Sequence, residues 1–142
     1  ELRMYFDTYR PILLKVSPDL SHQQLDEIIE YCLRSGIDGL VAGNTTRSRD
    51  GITSISKEKI EEIGNGGMSG APLHQKNLEL VKYVHTKSEG KLPIIGVGGI
   101  MSPEQAKAML DAGASLVEIY TGFIYEGPAL VKNIIKHLET TL

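Results

Sequence analysis

The sequence predicts an α/β fold, a parallel sheet wrapped by helices and built as four βα units in series, the count of half a (β/α)8 barrel. Three observations predict it. Short apolar runs alternate with helix-period segments along the chain. No hairpin signal joins one run to the next, so the strands pair in parallel through crossover helices. A complete barrel takes about 250 residues, and this chain of 142 residues holds four units. A doubly wound sheet satisfies the same periodicity and stands as the competing architecture.

The elements follow in order. Ile12–Val16 (ILLKV) is the first strand. Ser21 opens a helix as N-cap, and Gln24 completes a capping box. Leu25, Ile28, Ile29, Cys32 and Leu33 then recur at the spacing of one buried helix face, and Gly36 sits where a helix C-terminal glycine belongs. Gly39–Ala42 is the second strand. A long excursion follows from Asn44 to about Pro72, with glycines at 64, 66, 67 and 70 and a short helical turn over Ser56–Ile63. Loops longer than about 15 residues are usually functional or disordered. A helix from about Leu73 to Ser88 packs through Leu78, Val81 and Val84, and Ile94–Val97 is the third strand. Ser102 and Pro103 start the next helix as N-cap and first helical residue, which ends before Gly113. Leu116–Tyr120 is the fourth strand. The last helix, Pro128–Leu138, is apolar at Leu130, Val131, Ile134, Ile135 and Leu138.

Composition sets the broad class. The chain is 41% hydrophobic and 23% charged with a net charge of −3, which fits one ordinary domain. No basic patch calls for nucleic acid, and no run approaches the roughly 18 apolar residues of a membrane span. The opening residues, ELRMYFDTYR, are mixed polar and aromatic rather than a signal peptide. Cys32 is the single cysteine, so an internal disulfide is excluded and a reducing compartment is favoured. His22, His74, His85 and His137 show no metal-ligand spacing; His22, in a capped first turn, reads as solvated. Lys57–Glu62 reads as an exposed helix face.

Two strands end in groups that suit a phosphate. PIIGVGGIM (93–101) runs from a buried strand into Gly98 and Gly99, with a helix start just beyond, and bare N–H groups there can point at an anion. LVEIYT (116–121) is its counterpart on the next strand. In (β/α)8 barrels the usual phosphate site lies after strands seven and eight. The other strand ends carry Lys15, Asn44-Thr45-Thr46 and GGMSGAPL (66–73). Taken singly, each has an ordinary reading. Lys15 snorkels its ammonium out at a strand end, Asn44 is a turn residue, the glycine cluster is a flexible turn, and Tyr120 is core with a wet hydroxyl.

As an ordered set, LLKVSPDL, AGNTT, GGMSGAPL, GVGGI and YTGFIYEGP resemble the C-terminal half of the dihydroorotate dehydrogenase family, and the quinone-using, membrane-associated class within it. The resemblance spans nearly everything from Pro11 onward and implies residues 1–142 as the C-terminal half of an FMN-binding (β/α)8 barrel. It implies an oxidoreductase of de novo pyrimidine biosynthesis that oxidises dihydroorotate to orotate with FMN and a quinone acceptor. By the same resemblance Lys15 sits against the flavin pyrimidine edge, and Gly43 and Gly70 approach FMN by backbone. Gly99, Tyr120 and Thr121 complete the phosphate cradle, with Tyr120 also near the quinone tunnel. Asn44 and Thr45 hold the substrate. Many relatives carry threonine at position 43, so a side-chain contact there is in doubt and a main-chain one is not. The catalytic base of this class is a serine expected upstream of residue 1, and no catalytic residue is assigned within the chain.

Alone, the chain is expected to be soluble and inactive, and to need a partner, either an N-terminal half-barrel or a second copy. The resemblance places the parent protein peripherally on the cytoplasmic face of a bacterial inner membrane, or on the mitochondrial inner membrane. Two rivals remain. A different FMN enzyme or a sugar-phosphate isomerase explains GVGG and YT but leaves Lys15 and the NTT–SGAPL pairing unexplained. A non-catalytic, self-associating half-barrel leaves the phosphate groups as a relic.

Overall fold

The computed structural model of the chain describes residues 8–50, 52 and 55–141. Residues 1–7, read above as mixed polar and aromatic rather than a leader, lie outside the described residues. So do 51, 53 and 54 of the excursion, and residue 142. The elements run β1 (Leu13–Val16), α1 (His22–Ser35), β2 (Gly39–Ala42), α2 (Lys57–Ile63), a 3-10 turn (Ala71–Leu73), α3 (His74–Lys87), β3 (Ile94–Val97), α4 (Pro103–Asp111), β4 (Leu116–Glu118), α5 (Thr121–Glu126) and α6 (Pro128–Thr141).

The four strands form one sheet in the order β1-β2-β3-β4, all parallel. Their register aligns Lys15, Val41, Ile95 and Leu116 in one row across the sheet. Strand side chains alternate between faces, and here the two faces differ sharply. Val16, Leu40, Ala42 and Ile94 pack into the helix layer, joined by Leu25, Ile29 and Cys32 of α1 and by Leu80, Val81 and Val84 of α3. Ala106 and Met109 of α4 and Leu130 and Ile134 of α6 complete that core. Each buried leucine or isoleucine contributes about 1.5–3 kcal/mol through lost water contact. The row containing Lys15 faces the other way, where a closed barrel has its interior.

Local chemistry accounts for the helix ends. The Ser21 hydroxyl accepts from the Gln24 N–H and the Gln24 side chain accepts from the Ser21 N–H, the reciprocal box read from sequence. Gly36 ends α1 at φ 71°, a left-handed conformation that a side chain disfavours. Ser102 caps α4, with Pro103 at its first position.

Several expectations need correction. Leu33 is 45% exposed rather than on the buried face of α1. β1 starts at Leu13, and β4 stops at Glu118 instead of reaching Tyr120. Residues 121–126 form α5, which the sequence reading did not contain, and α6 runs on to Thr141. Val131 and Ile135 of α6 are 38% and 53% exposed, so only Leu130 and Ile134 of its apolar positions are fully buried. The His22 ring is exposed as expected, yet it stacks on Tyr83 with centroids 4.2 Å apart.

Candidate functional site

Parallel strands all present their C-terminal ends on one side, so the loops that follow β1 to β4 share a rim. A cleft lies on that rim. Its walls include Lys15 from β1, Gly43, Asn44 and Thr45 after β2, Ser69 and Gly70 from the excursion, Gly98 and Gly99 after β3, and Glu118, Tyr120 and Thr121 at the end of β4. Leu73, Val97 and Ile100 supply its apolar floor. All eight residues singled out from sequence meet there: Lys15, Gly43, Asn44, Thr45, Gly70, Gly99, Tyr120 and Thr121.

The loop after β3 is shaped by glycine. Gly98 and Gly99 have φ of 108° and 75°, and a Cβ on Gly99 would collide with the backbone of His74 in the first turn of α3. Only glycine reconciles that conformation with that approach. The turn presents consecutive main-chain groups to the cleft, as anion-binding concavities do. Across the cleft, Gly70 comes so near Thr121 that an added Cβ would lie 3.2 Å from its Cγ2.

The two ends of the excursion are tied to each other. Thr46 and Met68 form a two-bond antiparallel bridge, with N···O distances of 3.1 and 2.8 Å. The Arg49 guanidinium donates to the carbonyls of Thr46, Gly64 and Gly66 and so closes the loop on itself. Segments 43–45 and 69–70, 27 positions apart at their extremes, therefore end up as adjacent walls. Within the first of them, the Asn44 carboxamide oxygen accepts from the Thr45 N–H at 2.8 Å, which turns its NH2 end outward as a donor.

Two groups at the site were missed from sequence. Glu118 lines the cleft, and strict alternation in LVEIY, with Val117 turned to the helices, would have placed it there. Asn77 of α3 is fully buried, and neither its amide nitrogen nor its oxygen has a partner. It is wedged against the backbone of Gly43 and Gly98, where a Cβ on either glycine would run into it. No sequence signal marks Asn77. Its burial follows from the two glycines, which lie in other loops.

Electrostatically the cleft is mixed. Lys15 brings a cation to it, and among the described residues no carboxylate pairs with that ammonium. His74, beside Gly99, has its pKa pushed below the usual histidine value by burial, which favours the neutral ring. The residues present fit a flavin phosphate: a glycine cradle that a Cβ would fill, a threonine hydroxyl, a cation on the sheet and an orphaned buried amide behind the loops. The cleft holds about 140 Å3, below the ~300 Å3 at which small-molecule pockets commonly begin.

Among the described residues, no helix is long and apolar enough to cross a membrane.

Comparison with known proteins agrees with this geometry. The chain is 49% identical over 123 residues to the dihydroorotate dehydrogenase (quinone) of Salinispora arenicola, covering 87% of this chain and 36% of that protein. Similarity to the enzyme of the same name from Proteus mirabilis is 41% over 138 residues, or 97% and 40%. A crystal structure of DHODH from Eimeria tenella in complex with ferulenol superposes with a TM-score of 0.86 at 30% identity, covering 97% of this chain and 35% of that one. The chain thus spans a little over a third of the length of the relatives it matches. The family model for dihydroorotate dehydrogenase matches residues 4–142, and the chain belongs to the dihydroorotate dehydrogenase family.

Proposed function

We propose that this chain supplies the phosphate-binding and substrate-orienting wall of a quinone-dependent dihydroorotate dehydrogenase. What supports the reading is one observation: residues from β1 and from the chain following β2, β3 and β4, singled out for this chemistry, line a single cleft at the strand C-termini. The chemistry FMN supplies when bound is acceptance of hydride from C6 of dihydroorotate and delivery of electrons to a quinone.

The chain's own residues do the binding and orienting. Main-chain N–H groups of the Gly98–Gly99 turn and the Thr121 hydroxyl hold the phosphate. Gly43 and Gly70 let the backbone approach the cofactor, and Tyr120 packs at its edge. The Lys15 ammonium, in the cleft wall, would lie beside the bound flavin, where a fixed cation would favour the negative charge that develops on reduction. Asn44 donates through its NH2 to the edge of the orotate ring, and Thr45 adds a hydroxyl. Leu73, Val97 and Ile100 exclude water from beneath. The base that takes the C5 proton is a serine outside this sequence, so the isolated chain is expected to show no turnover.

The inward row of the sheet needs cover. Leu13 and Leu116 are 41% and 62% exposed, and among the described residues β1 and β4 are the edge strands of the sheet. The remaining length of the relatives would close that face in a full enzyme; a second copy would do so for the chain alone. The parent enzyme then works peripherally at a quinone-containing membrane, on the cytoplasmic face of a bacterial inner membrane or on a mitochondrial inner membrane.

The test is a full-length protein carrying this sequence, given dihydroorotate and a soluble quinone. Orotate formation that depends on FMN supports the proposal. A flavoprotein whose spectrum ignores orotate would point to another flavin oxidoreductase, and a colourless protein to a sugar-phosphate enzyme.

A further inference from the structure

Asn44 and Thr45 are exposed, yet the next residue, Thr46, is only 2% exposed. Its hydroxyl is saturated. It donates to Asp19 Oδ1 at 2.5 Å and accepts from Lys76 Nζ at 3.1 Å and from the Ser48 N–H at 3.1 Å. The other Asp19 oxygen accepts the Arg47 N–H at 2.8 Å, and the Lys76 ammonium lies 2.5 Å from Oδ1. Three elements therefore converge on one carboxylate: the β1–α1 loop, the segment after β2 and the first turn of α3. On its far side, Thr46 carries the bridge to Met68 that brings Ser69 and Gly70 alongside. Gly67 approaches Thr45 so closely that a Cβ there would strike the threonine hydroxyl.

We propose that Asp19 is a positioning residue for the substrate. Through Thr46, Arg47 and Lys76 it fixes the peptide that carries Asn44 and Thr45, and so sets the affinity for orotate without touching it. This rests on the reading of Asn44 and Thr45 as substrate contacts. An exposed ion pair on its own contributes little, but this carboxylate does more than pair. It accepts a main-chain N–H and a hydroxyl from the loop in question, and it does so as an anion, which strengthens both bonds. Partial desolvation pushes the Asp19 carboxyl up, but the Arg47 N–H, Lys76 and Thr46 together bring it down to about 2. The anchor is thus ionised throughout the range in which an enzyme works. Small displacements of a substrate-orienting group have large effects on binding and rate.

The experiment titrates the FMN-loaded protein carrying this sequence with orotate, followed by the flavin absorption change, with FMN affinity measured in parallel. Asp19→Asn and Thr46→Val are expected to weaken orotate binding about tenfold or more while FMN affinity changes less than about threefold. Thr46→Ser keeps the hydroxyl and restores orotate binding to within about threefold of the parent. Wild-type orotate affinity in both Asp19→Asn and Thr46→Val, or equal losses for orotate and FMN, would overturn the proposal. Amide hydrogen exchange at Asn44, Thr45 and Met68 gives a readout that needs no ligand. Faster exchange in Asp19→Asn supports the anchor, and unchanged exchange rejects it. Asn44→Ala separates the two ideas. If it binds orotate normally, the substrate reading fails, and the exchange data still decide whether Asp19 holds the loop.

Discussion

On the helix side of the sheet Leu40, Ala42 and Ile94 are fully buried, whereas on the opposite side Leu13 and Leu116 stay 41% and 62% exposed. Both faces belong to the same four strands, and the register links them residue by residue. The difference teaches where this chain is self-sufficient. Its helices complete one core from local sequence, and the rim above that core inherits its geometry from it. The inward face, with Lys15 in the same row as Val41, Ile95 and Leu116, is left open among the described residues and borders the cleft through Lys15.

The comparison can be broken most forcefully at the core. Leu40→Ala in the isolated chain should cost about 2–5 kcal/mol in denaturant unfolding, because it removes a fully buried side chain and leaves a cavity. Leu116→Ala, on the open face, should change stability by less than about 0.5 kcal/mol. Equal losses would mean that the inward face is already packed, as in a half-barrel dimer, and sedimentation would then report two copies.

The next effect concerns the rim. Gly99→Ala forces a side chain into a left-handed backbone and against His74. FMN affinity of the full protein should fall at least about tenfold, with about 1–3 kcal/mol lost in stability; calorimetry and thermal unfolding measure the two. Lys15→Met sharpens the contrast from the other side. The ammonium lines the cleft rather than the core, so stability should hold. The flavin midpoint potential should move negative, since reduced flavin loses a cation that its charge favours. An unchanged potential would return Lys15 to its snorkelling role.

The smallest expected effect is a pH dependence. Asp19 is held at about 2 in the fold against an ordinary carboxyl near 3.9. A lowered folded pKa adds stability that is fully present above the unfolded value and disappears as pH falls toward the folded one. Asp19 should therefore contribute about 1 kcal/mol above pH ~4, after discounting for its partly exposed side chain, and lose it between pH ~4 and ~2. Asp19→Asn should flatten that part of the acid-stability curve.

Much of this architecture is legible in the sequence. Caps with a local chemical signature, Ser21 with Gln24 and Ser102 with Pro103, marked helix starts because their bonds span only three residues. The runs 39–42 and 94–97 read as strands because central parallel strands are apolar on both faces. The candidate site residues fell on one rim because in a parallel sheet every strand end points the same way. What sequence could not carry is long-range. α5 follows Tyr120 as an N-cap that makes no side-chain cap bond, so nothing local announces it. Among the described residues β4 is an edge strand with a single neighbour, which lets it end at Glu118. Leu33, Val131 and Ile135 keep helix period yet face outward, since periodicity reports a face and not what lies opposite. The Asp19–Thr46–Lys76 cluster joins residues 27 to 57 positions apart, Asn77 meets Gly43 and Gly98 from other loops, and no local pattern encodes either.

The central claim is that the rim after the four strands is a wall of a flavin site, and FMN titration of the full protein carrying this sequence tests it most directly. Calorimetry with parallel absorption spectra should show one FMN bound per chain, with affinity reduced about tenfold or more by Gly99→Ala. A protein that stays colourless and releases no heat with FMN, or whose FMN affinity ignores that substitution, would contradict the account.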